Sequence, residues 1–249
     1  MKKTFLMAAT LAGALAFSTA HAEGPHWGYG GKHGAAHWGD MDENFKTCKL
    51  GKHQSPINIE TGKATKGDLK PIEFHYNATP AEIINNGHTI QIGLQDGGSA
   101  NFNGAEYKLL QFHFHTPSEE KINGRNYPLV AHLVHKDAEG RLAVVAVLFK
   151  QGNANTALKS VFSHLPAKAG DKQPLEGGFD VTSILPTKQT YYAFTGSLTT
   201  PPCSEEVSWH VLKEPVTLSR AQLSTFKKLY TGNARPVQPL NGRKVLVSE

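Results

Sequence analysis

Residues 110–115 contain two histidines with the residue type and the spacing of metal ligands. If this segment is a β-strand, its side chains alternate between two faces. One face would carry an amide and two imidazoles: Gln111, His113 and His115. The other face would be apolar and form a wall of the core: Leu110, Phe112 and Phe114. Because two imidazoles at positions i and i+2 of a strand can bind one ion, the segment predicts a metal site.

A third histidine lies on the next apolar run, residues 129–135. Alternation along this run places His132 and His135 on opposite faces. The intervening loop has a turn signal at Asn123-Gly124, so a hairpin or near-hairpin would bring His132 to the first two imidazoles. Three neutral imidazoles suit Zn²⁺ and leave a fourth position for water, which is the arrangement of a catalytic zinc site.

The elements that must position these ligands are mostly strands. Apolar patterns predict strands at three further places: residues 72–76, 89–92 and 142–149. The last of these is apolar throughout, which predicts a central strand buried on both faces. Helical spacing occurs at residues 156–165 and at residues 219–230, where Ser219 and Gln222 have the spacing of a capping box. The predicted fold class is therefore α+β and strand-dominated, with a few short peripheral helices.

The first residues have the features of a signal peptide. Lys2 and Lys3 precede an apolar run, and Ala20-His21-Ala22 has the small residues of a cleavage site. We therefore predict a signal peptide at residues 1–22 and a single domain at residues 23–249. The mature protein is expected to be exported, either to a periplasm or out of the cell.

Charge and hydropathy exclude two classes of partner. The formal net charge of the whole chain is only +5, and no basic cluster contains interleaved aromatic residues. A nucleic-acid partner is therefore not expected. The apolar run near the start is too short to span a membrane and no later run is long enough, so stable membrane insertion is not expected either.

The chain has two cysteines, Cys48 and Cys203. In an exported protein, two cysteines usually form one disulfide. The alternative is a pair of buried free thiols, and the sequence pattern alone leaves both open.

Several motifs occur together with the histidines. The loop at residues 196–202 has two hydroxyl groups, at Thr199 and Thr200, followed by two prolines. In chain order the motifs are QSPINI, NNGH, QFHFH, AHLVH, GSLTTPP and RPVQPL. Together they resemble the alpha-class carbonic anhydrases, in particular the exported bacterial members, and the resemblance extends from residue 27 to residue 240.

The resemblance implies a large, twisted, mostly antiparallel sheet and one Zn²⁺ ion on the three histidines. It also implies a reaction, the reversible hydration of CO2 to bicarbonate and a proton, with CO2 and bicarbonate as small-molecule substrates. By the same resemblance, Thr199 orients the attacking hydroxide and contacts the substrate anion, and its hydroxyl donates to Glu119. An apolar CO2 pocket with Thr200 beside it is implied at these residues: Val134, Val144, Leu198, Thr200 and Trp209.

Proton export is assigned to His88 by the resemblance. Histidine suits this role because its pKa lies near neutral pH. The residues that match the family's water-ordering side chains are Tyr29, Asn86 and Gln91, with Gln91 in place of the more usual asparagine. The resemblance further pairs Cys48 with Cys203, which would hold the loop at residues 199–202, and implies cis peptide bonds before Pro56 and Pro202.

The hydrogen-bond acceptors behind the zinc ligands differ from the family pattern at one place. Gln111 matches the acceptor of His113, and the backbone carbonyl of Asn233 matches the acceptor of His115. The family usually has a glutamate two residues before the third ligand, where this chain has Val130. Two neighbouring positions also differ, because Glu120 replaces the usual histidine and Phe194 replaces the usual tyrosine. We hypothesise that Glu120 supplies the missing acceptor for His132.

Two other functional classes are considered. One is a non-catalytic binding module on the same fold, but this would be expected if a ligand histidine were missing, and none is. The other is a copper–zinc superoxide dismutase, which would need further histidines and an aspartate that the sequence does not place. The sequence leaves a homodimer open.

Overall fold

The structure is a computed structural model that describes residues 26–249. The predicted signal peptide, residues 1–22, lies outside the described residues. The strands are β1 Asn58–Ile59, β2 Thr65–Lys66, β3 Glu73–Tyr76, β4 Thr79–Asn85, β5 Ile90–Leu94, β6 Gly98–Phe102, β7 Ala105–His115, β8 Lys121–Ile122, β9 Arg125–Asn126, β10 Leu129–Lys136, β11 Leu142–Gln151, β12 Lys172–Phe179, β13 Tyr191–Ser197, β14 Glu205–Leu212, β15 Val216–Leu218 and β16 Leu246–Val247. The α-helices are α1 Trp38–Met41, α2 Thr47–Leu50, α3 Lys159–Ser163 and α4 Arg220–Lys227, and 3₁₀ turns lie at Gly31–His33, Glu43–Phe45 and Val181–Ile184. No helix within residues 26–249 is long and apolar enough to cross a membrane.

Thirteen of these strands form one sheet around β7, β10 and β11. Its main path runs β12-β4-β5-β7-β10-β11-β14-β13-β16-β2, while β15 pairs with β11, and β6 joins β3 to β7. Most neighbouring pairs are antiparallel, and the parallel ones are β11 with β14, β11 with β15 and β16 with β2. The predicted strand-dominated fold with a large, mostly antiparallel sheet is confirmed.

Strand β11 has an apolar cluster on each face. Ala143 and Val145 belong to the larger cluster, whereas Val144 and Ala146 belong to a second cluster that also contains Val130. Successive side chains of a strand point to opposite faces, so both faces of β11 require apolar residues. The prediction of a central strand buried on both faces is therefore confirmed.

A β-bulge corrects the predicted core wall of β7. Val134 pairs with Gln111 and His135 pairs with Leu109, so Leu110 is the extra residue on its strand. Leu110 is 43% exposed, and Leu109 is buried in its place at 4%. The alternation predicted for residues 111–115 is correct, but it does not extend back to Leu110.

The two longest helices are shorter than their patterns predicted. Helix α3 starts at Lys159 because the preceding residues form a turn, in which Lys159 N donates to Thr156 O. Helix α4 ends at Lys227 and is followed by a tighter turn. The capping box between Ser219 and Gln222 is present. Ser55–Pro56 and Pro201–Pro202 are cis, as the resemblance implied, and Thr116–Pro117, which was not predicted, is also cis.

Candidate metal centre and its cavity

The three predicted histidine ligands meet at the centre of the sheet. In the antiparallel pairing of β7 with β10, His132 lies directly opposite His113, and His115 lies two residues further along β7 on the same face. One nitrogen from each imidazole lies within 4.8 Å of the others. Residues 116–128 connect β7 to β10, and Asn123-Gly124 forms the turn between β8 and β9 within that connection.

The outer nitrogens of the two β7 histidines are held by neutral acceptors. Nδ1 of His113 lies 2.9 Å from Oε1 of Gln111, and Nδ1 of His115 lies 2.7 Å from the carbonyl oxygen of Asn233. An imidazole that donates from Nδ1 presents Nε2 as its acceptor. Nε2 of His115 is buried without a hydrogen-bond partner among the described residues, which fits a nitrogen aimed at a metal ion.

In His132 the roles of the two ring nitrogens are exchanged. Its Nε2 lies 3.0 Å and 3.3 Å from the two carboxylate oxygens of Glu120, so Nδ1 is the nitrogen that faces the other imidazoles. Glu120 is fully buried. Val130, two residues before His132, lies in the apolar cluster beside β11 and cannot accept a hydrogen bond.

The electrostatic surroundings favour neutral imidazoles at two of the positions. Burial, reinforced by the neighbouring His132, lowers the pKa of His113 to about 3. Burial likewise holds the pKa of His115 well below its usual value. Burial also acts to lower the pKa of His132, but Glu120 and Glu119 outweigh it, so that pKa is raised. Three convergent imidazoles, each with its outer nitrogen engaged, form a three-histidine metal-binding site.

Glu119 lies beside the site on the segment that follows β7. Its Oε1 accepts a hydrogen bond of 2.7 Å from the backbone N–H of Arg235. Burial raises the pKa of Glu119 to about 7, and hydrogen bonding from the Thr199 hydroxyl opposes that rise. The second oxygen, Oε2, has no partner of full hydrogen-bond geometry among the described residues. It lies 3.8 Å from Nδ1 of His132, so a dication at the site would favour the ionised carboxylate.

The loop that carries Thr199 is fastened to the N-terminal region. Cys203 forms a disulfide with Cys48, at a sequence separation of 155 residues. Within the loop, the N–H of Cys203 donates to the carbonyl of Thr200 at 2.9 Å. The guanidinium of Arg235 donates to the carbonyl of Cys48 at 2.9 Å and to that of Ser55 at 2.7 Å. Arg235 therefore connects Glu119 with the segment that bears the disulfide, a link that the sequence patterns did not indicate.

A cavity of about 140 Å³ reaches from the protein surface to His113 and His115. It is lined by five of the polar residues that the resemblance singled out: Tyr29, Asn86, His88, Gln91 and Thr200. The Tyr29 hydroxyl is buried without a partner among the described residues, and burial raises its pKa well above the ordinary value. A larger cavity of about 450 Å³ lies between residues 67–72, 189–191 and 248–249, and none of the candidate site residues lines it.

Trp27 is a cavity residue to which the sequence analysis gave no role. Its ring stacks on the imidazole of His88 with centroids 3.6 Å apart and an interplanar angle of 4°. The aromatic content of residues 24–40 was the available signal, but a segment without periodicity does not reveal which rings meet.

The four apolar residues proposed for the pocket lie together beside His132. Val134 pairs with Val144 across β10 and β11, and Val144 pairs with Trp209 across β11 and β14. Leu198 packs against the same cluster. The ring of Trp209 lies 4.9 Å from that of His132, and its Nε1 donates to the carbonyl of Ser197 at 3.0 Å. The structure thus places the polar candidate residues along the cavity that reaches His113 and His115, and the apolar ones beside His132.

Comparisons with known proteins give one consistent family. The family model described as eukaryotic-type carbonic anhydrase matches residues 33–249. A carbonic anhydrase from Klebsiella pneumoniae is 46% identical over 89% of this chain and 90% of its own length. One from Neisseria gonorrhoeae is 44% identical, with coverage of 97% and 96%. The solved alpha-carbonic anhydrase from Thermovibrio ammonificans, a complex with sulfanilamide, superposes with a TM-score of 0.88 at 46% identity, over 90% of this chain and 100% of its own. The chain therefore belongs to the alpha carbonic anhydrase family of enzymes.

Proposed function

We propose that this chain binds one Zn²⁺ ion through His113, His115 and His132 and catalyses the reversible hydration of CO2 to bicarbonate and a proton. One observation carries the proposal. The outer nitrogen of each imidazole lies 2.7–3.0 Å from an acceptor oxygen, and the three inner nitrogens converge. Three protein ligands leave one coordination position for a reactant.

The donor set fits zinc. Neutral imidazoles are good ligands for this ion, and burial keeps the rings of His113 and His115 unprotonated. When bound by three histidines, Zn²⁺ lowers the pKa of a coordinated water to about 7 and so makes hydroxide available at neutral pH.

Thr199 and Glu119 would orient the nucleophile. An ionised carboxylate can only accept hydrogen bonds, so a Thr199 hydroxyl that contacts Glu119 must donate its proton there. The lone pairs of that hydroxyl are then left to accept a proton from the nucleophile, which directs the nucleophile's own lone pair toward the substrate. The backbone N–H of Arg235 donates to Oε1 of Glu119 and so holds the carboxylate in place.

The apolar wall suits the substrate. CO2 carries no net charge or dipole, so it has no strong hydrogen bond to offer and would be held by dispersion and by exclusion of water. Val134, Val144, Leu198 and Trp209 supply such a surface next to His132. The backbone N–H of Thr199 and the side chain of Thr200 would contact the anionic product at the polar side of the site.

His88 would accept the proton released in each turnover. Its imidazole lines the same cavity as two of the zinc ligands, and waters ordered by Tyr29, Asn86 and Gln91 would carry the proton across the gap. Burial lowers the pKa of His88, with a smaller contribution from His26, which favours release of the proton once it has arrived.

Glu120 would act as the acceptor that orients His132. Its carboxylate lies 3.0 Å from Nε2 of His132, whereas Val130 is apolar and offers no acceptor. We further propose that residues 1–22 direct export of the protein, which the buried Cys48–Cys203 disulfide supports because disulfides persist in oxidising compartments.

The test is stopped-flow CO2 hydration by the oxidised protein, purified without added metal, with zinc and copper measured on the same sample. Fast hydration at about one zinc per chain is the expected result. Full zinc occupancy without hydration would overturn the enzymatic proposal and favour a binding module on this fold. Copper in place of zinc would overturn the metal assignment.

A further inference from the structure

The imidazole of His88 is confined at the mouth of the cavity. Trp27 stacks on it at 3.6 Å between ring centroids, and the two planes are within 4° of parallel. Its backbone is also held, because the N–H donates to Oδ1 of Asn86 at 2.9 Å and the carbonyl accepts from Nδ2 of Asn233 at 3.0 Å. A ring in this position loses the stacking contact when it rotates away from Trp27, so rotation of the ring is a costly way to carry a proton from the cavity to bulk water.

A second imidazole lies on the outer side of His88. The ring centroid of His26 is 6.4 Å from that of His88, and that of His33 is a further 5.9 Å from His26. His26 is exposed, whereas His88 is half-buried and lines the cavity. One bridging water is the ordinary way to connect polar groups across a gap of this kind.

We propose that His26 is a second proton carrier in series with His88, and that Trp27 is a positioning residue that holds His88 between the cavity and His26. This inference rests on the proposed CO2 hydration. In each cycle His88 takes up a proton on one ring nitrogen and releases one from the other nitrogen through water to neutral His26. His88 returns to the neutral form, and the His26 imidazolium passes its proton to a buffer base.

The charges around His88 support transfer in this direction. Burial disfavours its charged form, and a proton on His26 disfavours it further by Coulomb repulsion. The groups that bond its backbone, Asn86 and Asn233, are uncharged amides, and the stacked Trp27 is also neutral. The imidazolium at residue 26 is exposed to water, so the proton moves from a poorly solvated ring to a well solvated one.

The kinetic test compares the zinc-loaded parent with His26→Gln, His88→Ala and the double variant. In dilute buffer, removal of protons limits turnover, so His26→Gln is expected to lower kcat by about tenfold or less. This loss is smaller than the rate factor of about 10²–10⁴ that is typical of a group that transfers a proton in the transition state. The value of kcat/KM should not change. High concentrations of imidazole buffer should restore kcat. Because the two carriers act in series, His26→Gln should have no further effect in the His88→Ala background.

His75→Gln is the matched control, because His75 is an exposed histidine on β3 that does not line the cavity. It should leave kcat unchanged. Trp27→Ala should lower kcat in dilute buffer with kcat/KM retained, and Trp27→Phe, which keeps a stacking ring, should recover most of the loss.

A measurement independent of turnover is the NMR titration of the His88 ring. Removal of the neighbouring cation in His26→Gln should raise the pKa of His88, whereas His75→Gln should not. If the parent hydrates CO2 rapidly and His26→Gln has the same kcat in dilute buffer, the role of His26 as second carrier is overturned and the proposed function is not. Additive losses in the double variant would also overturn it, whereas a zinc-loaded parent without hydration would overturn the proposed function itself.

Discussion

Nε2 of His132 lies 3.0 Å from Oε1 of Glu120, and on the other side of the same ring Nδ1 lies 3.8 Å from Oε2 of Glu119. Two consecutive, fully buried carboxylates therefore flank one metal ligand. The segment between β7 and β10 supplies both of them, and the strand position that could have supplied an acceptor, Val130, packs in an apolar cluster.

Replacing Glu120 by Gln should weaken zinc binding about 10–100-fold, the usual cost of losing the acceptor behind a metal-bound histidine. The amide keeps the size of the side chain but is a weaker acceptor than a carboxylate. Competition with a chromophoric chelator measures the affinity. Glu176→Gln, at an exposed position of β12, is the control for loss of one charge.

Moving the acceptor to β10 provides a stricter comparison. Residue 130 lies on the same face of the strand as His132, so Glu120→Gln combined with Val130→Glu should bind zinc more tightly than Glu120→Gln alone. If Glu120→Gln binds zinc as tightly as the parent, Glu120 has no orienting role.

Thr199→Val should lower kcat/KM by about 10²–10³, the effect of removing one hydrogen-bonding group directed at a reacting centre. Valine keeps the shape of threonine but can neither accept nor donate, whereas Thr199→Ser keeps the hydroxyl and should retain most activity. Zinc content should be the same in all three proteins. Glu119→Gln should lower kcat/KM by a similar factor. The double variant should lose little more than Thr199→Val alone, because both substitutions remove the same hydrogen bond. Fully additive losses of kcat/KM would contradict the pairing of Thr199 with Glu119.

Replacing both cysteines by serine should lower the free energy of unfolding by up to about 4–5 kcal/mol in the chain-entropy model, because the bond closes a loop of 155 residues. Urea unfolding of the oxidised parent and the variant measures this difference. The chain has no other cysteine, so a reducing agent should destabilise the parent and leave the variant unaffected. Equal stability of the oxidised parent and the variant would contradict the prediction.

Two buried histidines on the far side of the sheet should make folding sensitive to acid. Burial lowers the pKa of His135 to about 4 and that of His210 to about 3. Below pH of about 6.5 the unfolded chain binds protons at these positions and the folded chain does not, so stability falls by about 1.4 kcal/mol per pH unit for each histidine. The loss continues until the pH reaches the folded pKa values.

His210→Leu should remove one of these two contributions. His210 stacks on Phe102 at 4.3 Å, an apolar environment that leucine can share. Urea unfolding at pH 7 and pH 5 should show a smaller pH dependence in the variant than in the parent. Identical pH dependence would mean that His210 does not remain neutral in the fold.

Regular patterns in the sequence predicted the central strands of the sheet and the face on which the candidate metal ligands lie. The continuous apolar run at residues 142–149 predicted a strand buried on both faces, and β11 is such a strand. Alternation at residues 111–115 predicted which histidines share a face. These predictions succeed because strand geometry repeats every two residues and a nearby turn fixes the partner strand.

The predictions that failed or were missing concern local irregularity and distant contacts. The bulge at Leu110 changes the pairing by one residue and has no signature in the apolar pattern. The link from Arg235 to Glu119 joins residues 116 positions apart, and no spacing rule covers such a distance.

The sequence by itself determined the strand-dominated class, the three histidines on one face, and, through its motifs, the family and its reaction. Only the tertiary structure decided that the Glu120 carboxylate reaches His132 and that Trp27 covers His88. Both contacts join a side chain on an irregular segment to a residue elsewhere in the chain. Their geometry depends on how the loops close over the sheet, and local periodicity carries no information about that closure.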